Sequence, residues 1–297
     1  MATTMPTGRW AAARSPRSRR PGRRSSRPTA ASSPLSERHP MQDWNPETYA
    51  RFRGLRLRPA LDLLAQVHGL PPGAIVDLGC GNGAVGMPLR TRWPDRRIVG
   101  VDASPAMIAE AAPSGCYDAL TQADIALWQS EEAVALIFSN AALQWLPDHA
   151  ALMPRLATFL PPGGVLAVQM PRQYGAPSHR FLRDIAAGMF PDRFEPEDAP
   201  PVAPAQHYWQ QLAPFGEVQA WETEYVQHLE AWADGHPVRR FTESTAMRPF
   251  LARLTDEEAR AFIGAYDSCL AAAYPLLPDG GTLFPFRRCF FVLTCRP

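Results

Sequence analysis

The sequence predicts an α/β protein built on a doubly wound, mostly parallel sheet, and three observations carry the prediction. Short apolar runs, AIVDLG, RIVGVD, VALIFSN and GVLAVQM, recur between residues 74 and 170. Helical stretches separate them, so strand, crossover and next strand can wind as right-handed parallel units. The first two runs end on Gly79 and Asp102, and ligands of open α/β sheets bind at the carboxyl ends of the strands.

Each element has its own signal. In LRPALDLLAQVHGL, Leu61, Leu64, Ala65 and His68 recur near the helical period and predict a helix ahead of the sheet. Gly86 and Pro88 fall early in the helix after the first strand. Interior Gly and Pro would cost about 1 and 3 kcal/mol, so that helix is expected to start late or kinked. Ser104 and Pro105 fit an N-cap and first helical position. A helix starting near His149 is closed by Pro161, Pro162, Gly163 and Gly164 before the last parallel strand. Beyond Met170, HRFLRDIAAGMF and AQHYWQQLAPF read as helices around the Pro-rich loop FPDRFEPEDAPPVAP. WETEYVQ and CFFVLTC read as strands, the second an antiparallel C-terminal one. Thr255 and Glu258 form a capping box ahead of ARAFIGAYDSCLAAAY. The expected organisation is one domain over 41–297, with helical cap segments at about 171–215 and 229–284 above the active site.

Composition narrows the function. All 30 basic residues are Arg, and nine of them lie in residues 1–40 against the single acid Glu37. The remaining 257 residues hold 21 basic and 28 acidic side chains, a poor balance for binding a phosphate backbone. Residues 1–40 are rich in Arg, Ser and Pro, cannot bury enough apolar surface to fold, and are expected to be disordered. Three origins stay open for them: a transit peptide, a nucleic-acid-binding arm, or sequence upstream of a true start at Met41. The five cysteines form no CxxC pair and have no His at ligand spacing, so neither disulfides nor a metal site is expected. No apolar run approaches the roughly 18 residues of a membrane span. A cytoplasmic protein without membrane or nucleic-acid partners is the expectation.

VDLGCGNG, residues 76–83, places Gly79, Gly81 and Gly83 between a strand and a helix. Glycine permits a tight turn and close ligand approach. The spacing is GxGxG rather than the dinucleotide GxGxxG, and Asp77 precedes it. Asp102 ends the next strand about twenty residues on, where a carboxylate can accept both hydroxyls of a ribose. Asp124 sits where the third strand should end. Three acids at three successive strand ends mark a Rossmann-like nucleoside site more sharply than the glycines alone. Cys80 reads as a small loop filler rather than a thiol catalyst.

This arrangement resembles the class I S-adenosylmethionine-dependent methyltransferases. The resemblance implies that Gly79 and Gly81 lie under the methionine part of the cofactor, that Asp102 binds ribose, and that Asp124 meets the adenine amino group. Asp77, Met107, Ile125 and Asn140 complete the implied cofactor set. WNPETYARFRGLRLRPALDLL, RWPDRRIVGVDASPAMIAEA, NAALQWLPDH, GVLAVQMP and MRPFLARL further resemble the trans-aconitate 2-methyltransferase family. That likeness implies a monomethyl ester of a small polycarboxylate, with S-adenosylhomocysteine as second product, no metal, and no catalytic side chain beyond positioning and electrostatics.

An ionised carboxylate needs no general base, but its unreacting neighbours need cationic forks, which Arg supplies in bidentate form. Arg56, Arg58, Arg248 and Arg288 are the candidates, with Trp145, His207, Tyr208 and Tyr225 as further substrate contacts. His149 reads as a helix-start residue rather than a base. Rival readings are a methyltransferase for another small acid or an acyl-carrier-bound carboxylate, and a non-catalytic cofactor-binding protein. A nucleic-acid methyltransferase is disfavoured by the acidic body and the absence of an NPPY-like motif.

Overall fold

The computed structural model describes residues 53–130, 132–195 and 200–296. The chain divides after Gln42 into two units, and everything described belongs to the second, Asp43–Pro297. The expectations for residues 1–40, and the segment 196–199 of the Pro-rich loop, lie outside the described residues.

Seven strands form one sheet in the order β3-β2-β1-β4-β5-β7-β6. β1 (Ala74–Leu78), β2 (Ile98–Asp102), β3 (Ala119–Gln122), β4 (Val134–Asn140) and β5 (Val165–Pro171) are parallel, and β7 (Thr282–Cys295) runs antiparallel between β5 and β6 (Gly216–Leu229). The chain steps outward from β1 through β2 to β3, then returns to β4 on β1's other side. That reversal opens the crevice where such sheets bind nucleosides. β1 is buried at all five positions, which is why it reads as a continuous apolar run rather than an alternating one.

The helices agree with their local signals. α1 spans Arg53–Leu64 and α2 spans Gly86–Arg92, so the helix after the glycine loop does begin late, with Pro88 in its first turn. In α3 (Pro105–Ala111), Ser104 Oγ accepts from the Met107 N–H. α4 covers His149–Ala157, α5 Pro177–Met189 and α6 Ala205–Leu212. Between the long strands lie α7 (Pro237–Glu243), α8 (Arg248–Leu251) and α9 (Asp256–Ala273), the last opened by the Thr255–Glu258 capping box.

The helix expected ahead of the sheet forms, and one expectation, the length of the last two strands, is corrected. The buried stripe of the first helical segment is Ala60, Leu63, Leu64 and Val67, whereas Leu61, Ala65 and His68 are exposed. Both stripes have helical spacing, and packing against the sheet decides between them. The last two strands are 14 residues each, about twice the length their apolar runs indicated. Glu217, Glu222 and Glu224 interrupt the pattern because they occupy the edge strand β6.

Three apolar cores result. One, with Leu78, Ile137, Val168, Tyr208 and Phe291, underlies α4 and α6. The second, with Leu63, Ile75, Phe138, Ala167 and Phe290, lies on the opposite face beneath α1 and α2. A third joins α5, α7 and α9 to the far ends of β6 and β7 through Leu182, Phe241, Tyr266 and Phe284. No helix among the described residues is long and apolar enough to cross a membrane.

Candidate active site

The glycine loop turns at the carboxyl end of β1. Gly79 has φ +80°, and a Cβ there would lie 2.1 Å from the Ala142 Cβ, so the loop and the segment after β4 touch only because the side chain is absent. The Gly79 and Cys80 N–H groups donate to the Val101 carbonyl at 2.7 and 2.9 Å. Gly81, at φ +54°, has open space on its Cβ side.

Asp102 anchors this loop. Its Oδ2 accepts from the Gly81 N–H at 2.8 Å and its Oδ1 from the Ser104 N–H at 2.9 Å. A carboxylate offers about four acceptor positions, so each oxygen keeps a lone pair for a ligand hydroxyl. Asp124 Oδ1 caps the turn that follows β3 through the Ala126 N–H. Arg155 holds that turn from behind, donating to the Ile125 and Trp128 carbonyls at 2.8 and 2.7 Å. Ile125 is buried against the loop, its Cδ1 3.3 Å from where a Gly79 Cβ would lie, and Met107 is buried in α3.

Asp77 does not line the open side, contrary to the sequence expectation. It is buried beneath the loop, its Oδ2 accepting from the Tyr117 hydroxyl at 2.7 Å. Burial raises its pKa to about 7; the Tyr117 hydrogen bond opposes that shift and nearby Asp102 reinforces it. The Cys80 thiol is pushed up by burial and by both acids. It therefore stays protonated and is no thiolate nucleophile.

The α1-covered face carries a row of polar residues along the carboxyl edge. Strand alternation sets Asp102, Asp77, Asn140, Gln169 and Arg288 on this face, each two residues beyond a core member or a glycine in that core's row. Asn140 lies opposite Gln169, and Pro171 opposite Arg288. Arg288 is 3% exposed; its Nη1 donates to Gln169 Oε1 at 3.3 Å, and its guanidinium lies 4.7 Å from the Phe286 ring centroid. Asn140 Oδ1, Gln144 Oε1 and Gln169 Nε2 are buried with no hydrogen-bond partner among the described residues. Each such group costs about 1–3 kcal/mol unless a ligand completes it.

The other predicted substrate residues divide by face. Tyr225 shares the Arg288 face and donates to Asp62 Oδ2 at 2.7 Å, while Arg58 lies over its ring and 3.8 Å from the same carboxylate. Arg58, Tyr225 and Arg288 are thus neighbours, although Arg58 itself is exposed. Of Arg56, only the helical backbone is described. Trp145 is half exposed on the 3₁₀ turn Leu143–Trp145 after β4. Arg248 opens α8 beside Met247 of the third core.

Tyr208 and His207 are corrected, because α6 packs on the opposite sheet face. Tyr208 is fully buried: its hydroxyl donates to His149 Nδ1 at 2.7 Å and accepts from the Ala203 N–H at 3.1 Å. His149 Nε2 then donates to the Leu143 carbonyl at 2.9 Å, and burial lowers the pKa of the ring. This relay ties the loop before α6 to the turn after β4. His207 is exposed on α6.

Sequence reasoning missed Tyr117, Arg155 and Gln169. Nothing local marks the first two, whose partners lie 40 and about 30 residues away. Gln169 did carry a signal, being the one polar side chain in the run GVLAVQM. A separate cavity of about 580 Å³, lined by Arg172, Tyr174, Glu224, Tyr274 and Arg287, shares no residue with the glycine loop. Its arginines are matched, Arg172 by Glu222 and Arg287 by Glu224.

Residues 49–232 match the family model of a methyltransferase domain. Over 254 residues the chain is 41% identical to a trans-aconitate 2-methyltransferase of Azoarcus sp. strain BH72, covering 85% of this chain and 99% of that one. The chain belongs to the trans-aconitate 2-methyltransferase family. A relative of the same name from Escherichia coli O1:K1 is 42% identical, with 85% of this chain and 98% of that one covered. The fold is also that of the Bacillus subtilis YcgJ protein, at a TM-score of 0.51 and 12% identity over 81% of this chain and 99% of that one. The strands bearing the glycine loop, Asp102 and Asp124 all lie within the methyltransferase match.

Proposed function

We propose that this chain transfers a methyl group from S-adenosylmethionine to one carboxylate of trans-aconitate, leaving a monomethyl ester and S-adenosylhomocysteine. The observation that carries the reading is the single polar row at the carboxyl edge, which runs from a ribose-competent carboxylate at Asp102 to a buried guanidinium at Arg288. The residues fit the cofactor: the glycine loop gives close backbone approach, Asp102 keeps two lone pairs, and Asp124 stands beyond the next strand. Asn140 Oδ1 is a spare acceptor for its ammonium.

Bound there, S-adenosylmethionine supplies a sulfonium methyl, an electrophile that an ionised carboxylate attacks directly. The protein's work is orientation. Arg288 holds a carboxylate that does not react, which sets the reacting one in line. α1 and the second core exclude water from this face, so the guanidinium acts in a low dielectric where its charge counts for more. Asp77 and Tyr117 support the loop from beneath and touch no substrate. No proton needs to move, consistent with a site whose buried His149 is locked into a structural relay.

The test is methyl transfer from labelled S-adenosylmethionine across mono-, di- and tricarboxylates. Trans-aconitate should lead the panel by orders of magnitude in kcat/KM, because an acid without the unreacting carboxylates forgoes the contacts that set the reacting one in line. Equal rates on a monocarboxylate would remove the carboxylate-reading role.

A further inference from the structure

Among the described residues, only Ala141 and Asp148 hold a positive φ without being glycine, at +55° and +54°. They bracket the segment that joins β4 to α4. Asp148 has a reason of its own: aspartate tolerates the left-handed region, and its Oδ1 caps α4 by accepting from the Ala151 N–H at 3.1 Å. Ala141 has none, because its methyl group brings the steric cost of that region and no hydrogen bond to offset it. A residue kept there against its own preference needs an outside hold, and such strain collects at functional sites.

Two contacts supply the hold. The Ala141 N–H donates to the Gln169 carbonyl at 2.9 Å, which carries the β4–β5 ladder one residue past Asn140. The Ala141 carbonyl accepts from Gln144 Nε2 at 2.7 Å. A carbonyl can only accept, so the Gln144 amide is fixed with its NH₂ on Ala141, and its Oε1 is left buried with no partner among the described residues. The amide thus serves the Ala141 carbonyl while its own second end goes unmatched. The next residue shows what the turn achieves: a Cβ on Gly79 would lie 2.1 Å from the Ala142 Cβ, so Ala142 closes directly on the glycine loop.

We infer that Gln144 is a positioning residue for the cofactor: its amide keeps Ala141 in the left-handed turn, and that turn seats Ala142 against the glycine loop and fixes the crevice wall that bears Asn140. The inference rests on the cofactor reading above and deepens it. Without the amide, an alanine relaxes toward its favoured backbone regions, which withdraws Ala142 from Gly79 and loosens the wall. Gln144 acts through the backbone of Ala141 and not by touching the reacting atoms.

A double-mutant cycle tests it. Gln144→Met removes the donor at nearly the same length, and Ala141→Gly supplies a backbone that holds a positive φ unaided. Both singles, the double and the wild type are measured for S-adenosylmethionine and S-adenosylhomocysteine affinity by calorimetry, and for kcat and KM on trans-aconitate. Gln144→Met alone should weaken both cofactor affinities about tenfold, the size of one hydrogen bond, and lower kcat with little change in the trans-aconitate KM. On top of Ala141→Gly the same change should cost about threefold or less, because the turn no longer needs the amide. A role in folding alone would give the same loss in both backgrounds. Equal losses with and without Ala141→Gly overturn the inference, as does Gln144→Met with wild-type affinity and kcat. If Gln144→Met does not fold, Ala141→Val decides: a β-branched residue is a poor fit at positive φ, so it should weaken the cofactor with Gln144 in place, and unchanged affinity would overturn the inference. Wild-type protein that binds the cofactor but leaves trans-aconitate unmethylated would sink the substrate reading alone, since the affinity cycle decides this inference without turnover. Wild-type protein that binds neither form of the cofactor overturns both.

Discussion

Asp77 and Asp102 are the same side chain on neighbouring strands, and their surroundings give them different work. Asp102 is held by two backbone N–H groups with lone pairs to spare, so Asp102→Ala should weaken S-adenosylmethionine binding about ten- to a hundredfold by calorimetry. Asp77 is sealed, and its carboxyl titrates at about 7 rather than near 3.8. Because the folded state holds its proton to higher pH than the unfolded chain, unfolding releases that proton between these values. Cofactor-free protein should therefore be most stable on this account below about pH 4 and lose stability as pH rises through 7. Asp77→Asn keeps an acceptor for the Tyr117 hydroxyl, and urea titrations at pH 5 and pH 8 should show a smaller decline in the variant. An identical decline would assign the ionisation to another group. Both acids are visible in the sequence as strand-end residues, but Tyr117, 40 residues away, is not, and it helps divide their roles.

At the scale of elements, turn chemistry and caps are local and were readable, while the face an element presents was not. The late start of α2, the Ser104 cap and the Thr255–Glu258 box depend on residues within four positions of each other. By contrast α6 carries adjacent His207 and Tyr208, and only its docking over Phe291 shows that Tyr208 faces the core, with ring centroids 4.8 Å apart. Tyr208→Phe should leave His149 Nδ1 and the Ala203 N–H without their partner and cost about 1–3 kcal/mol. Thermal unfolding should report that loss while S-adenosylmethionine affinity stays within threefold; a collapse of cofactor binding with unchanged stability would return Tyr208 to the site. The loop between β1 and α2 is more exacting. Gly79→Ala brings a Cβ against Ala142 at positive φ, so it should destabilise the fold by about 1–3 kcal/mol and weaken the cofactor, measured together by calorimetry and thermal shift.

For the whole molecule, the nine arginines of residues 1–40 set that segment apart in composition from the acidic body. A chain beginning at Met41 should keep its turnover and its substrate order, since a segment without apolar anchors adds little to a core; loss of activity on truncation would make the segment part of the enzyme. The sequence by itself determined the β/α order, the parallel sheet and the identity of the glycine loop with Asp102 and Asp124, because these follow from spacings of two, of 3.6 and of one β/α unit along the chain. Tertiary structure alone decided that Arg288 is buried at the carboxyl edge while Arg58 is exposed, and that Arg288 meets Gln169, 119 residues away. An arginine on the surface and one in a pocket are the same letter with the same local propensity. What separates them is burial and a partner across the sheet, and both are set by strand order and register, which only the assembled fold supplies.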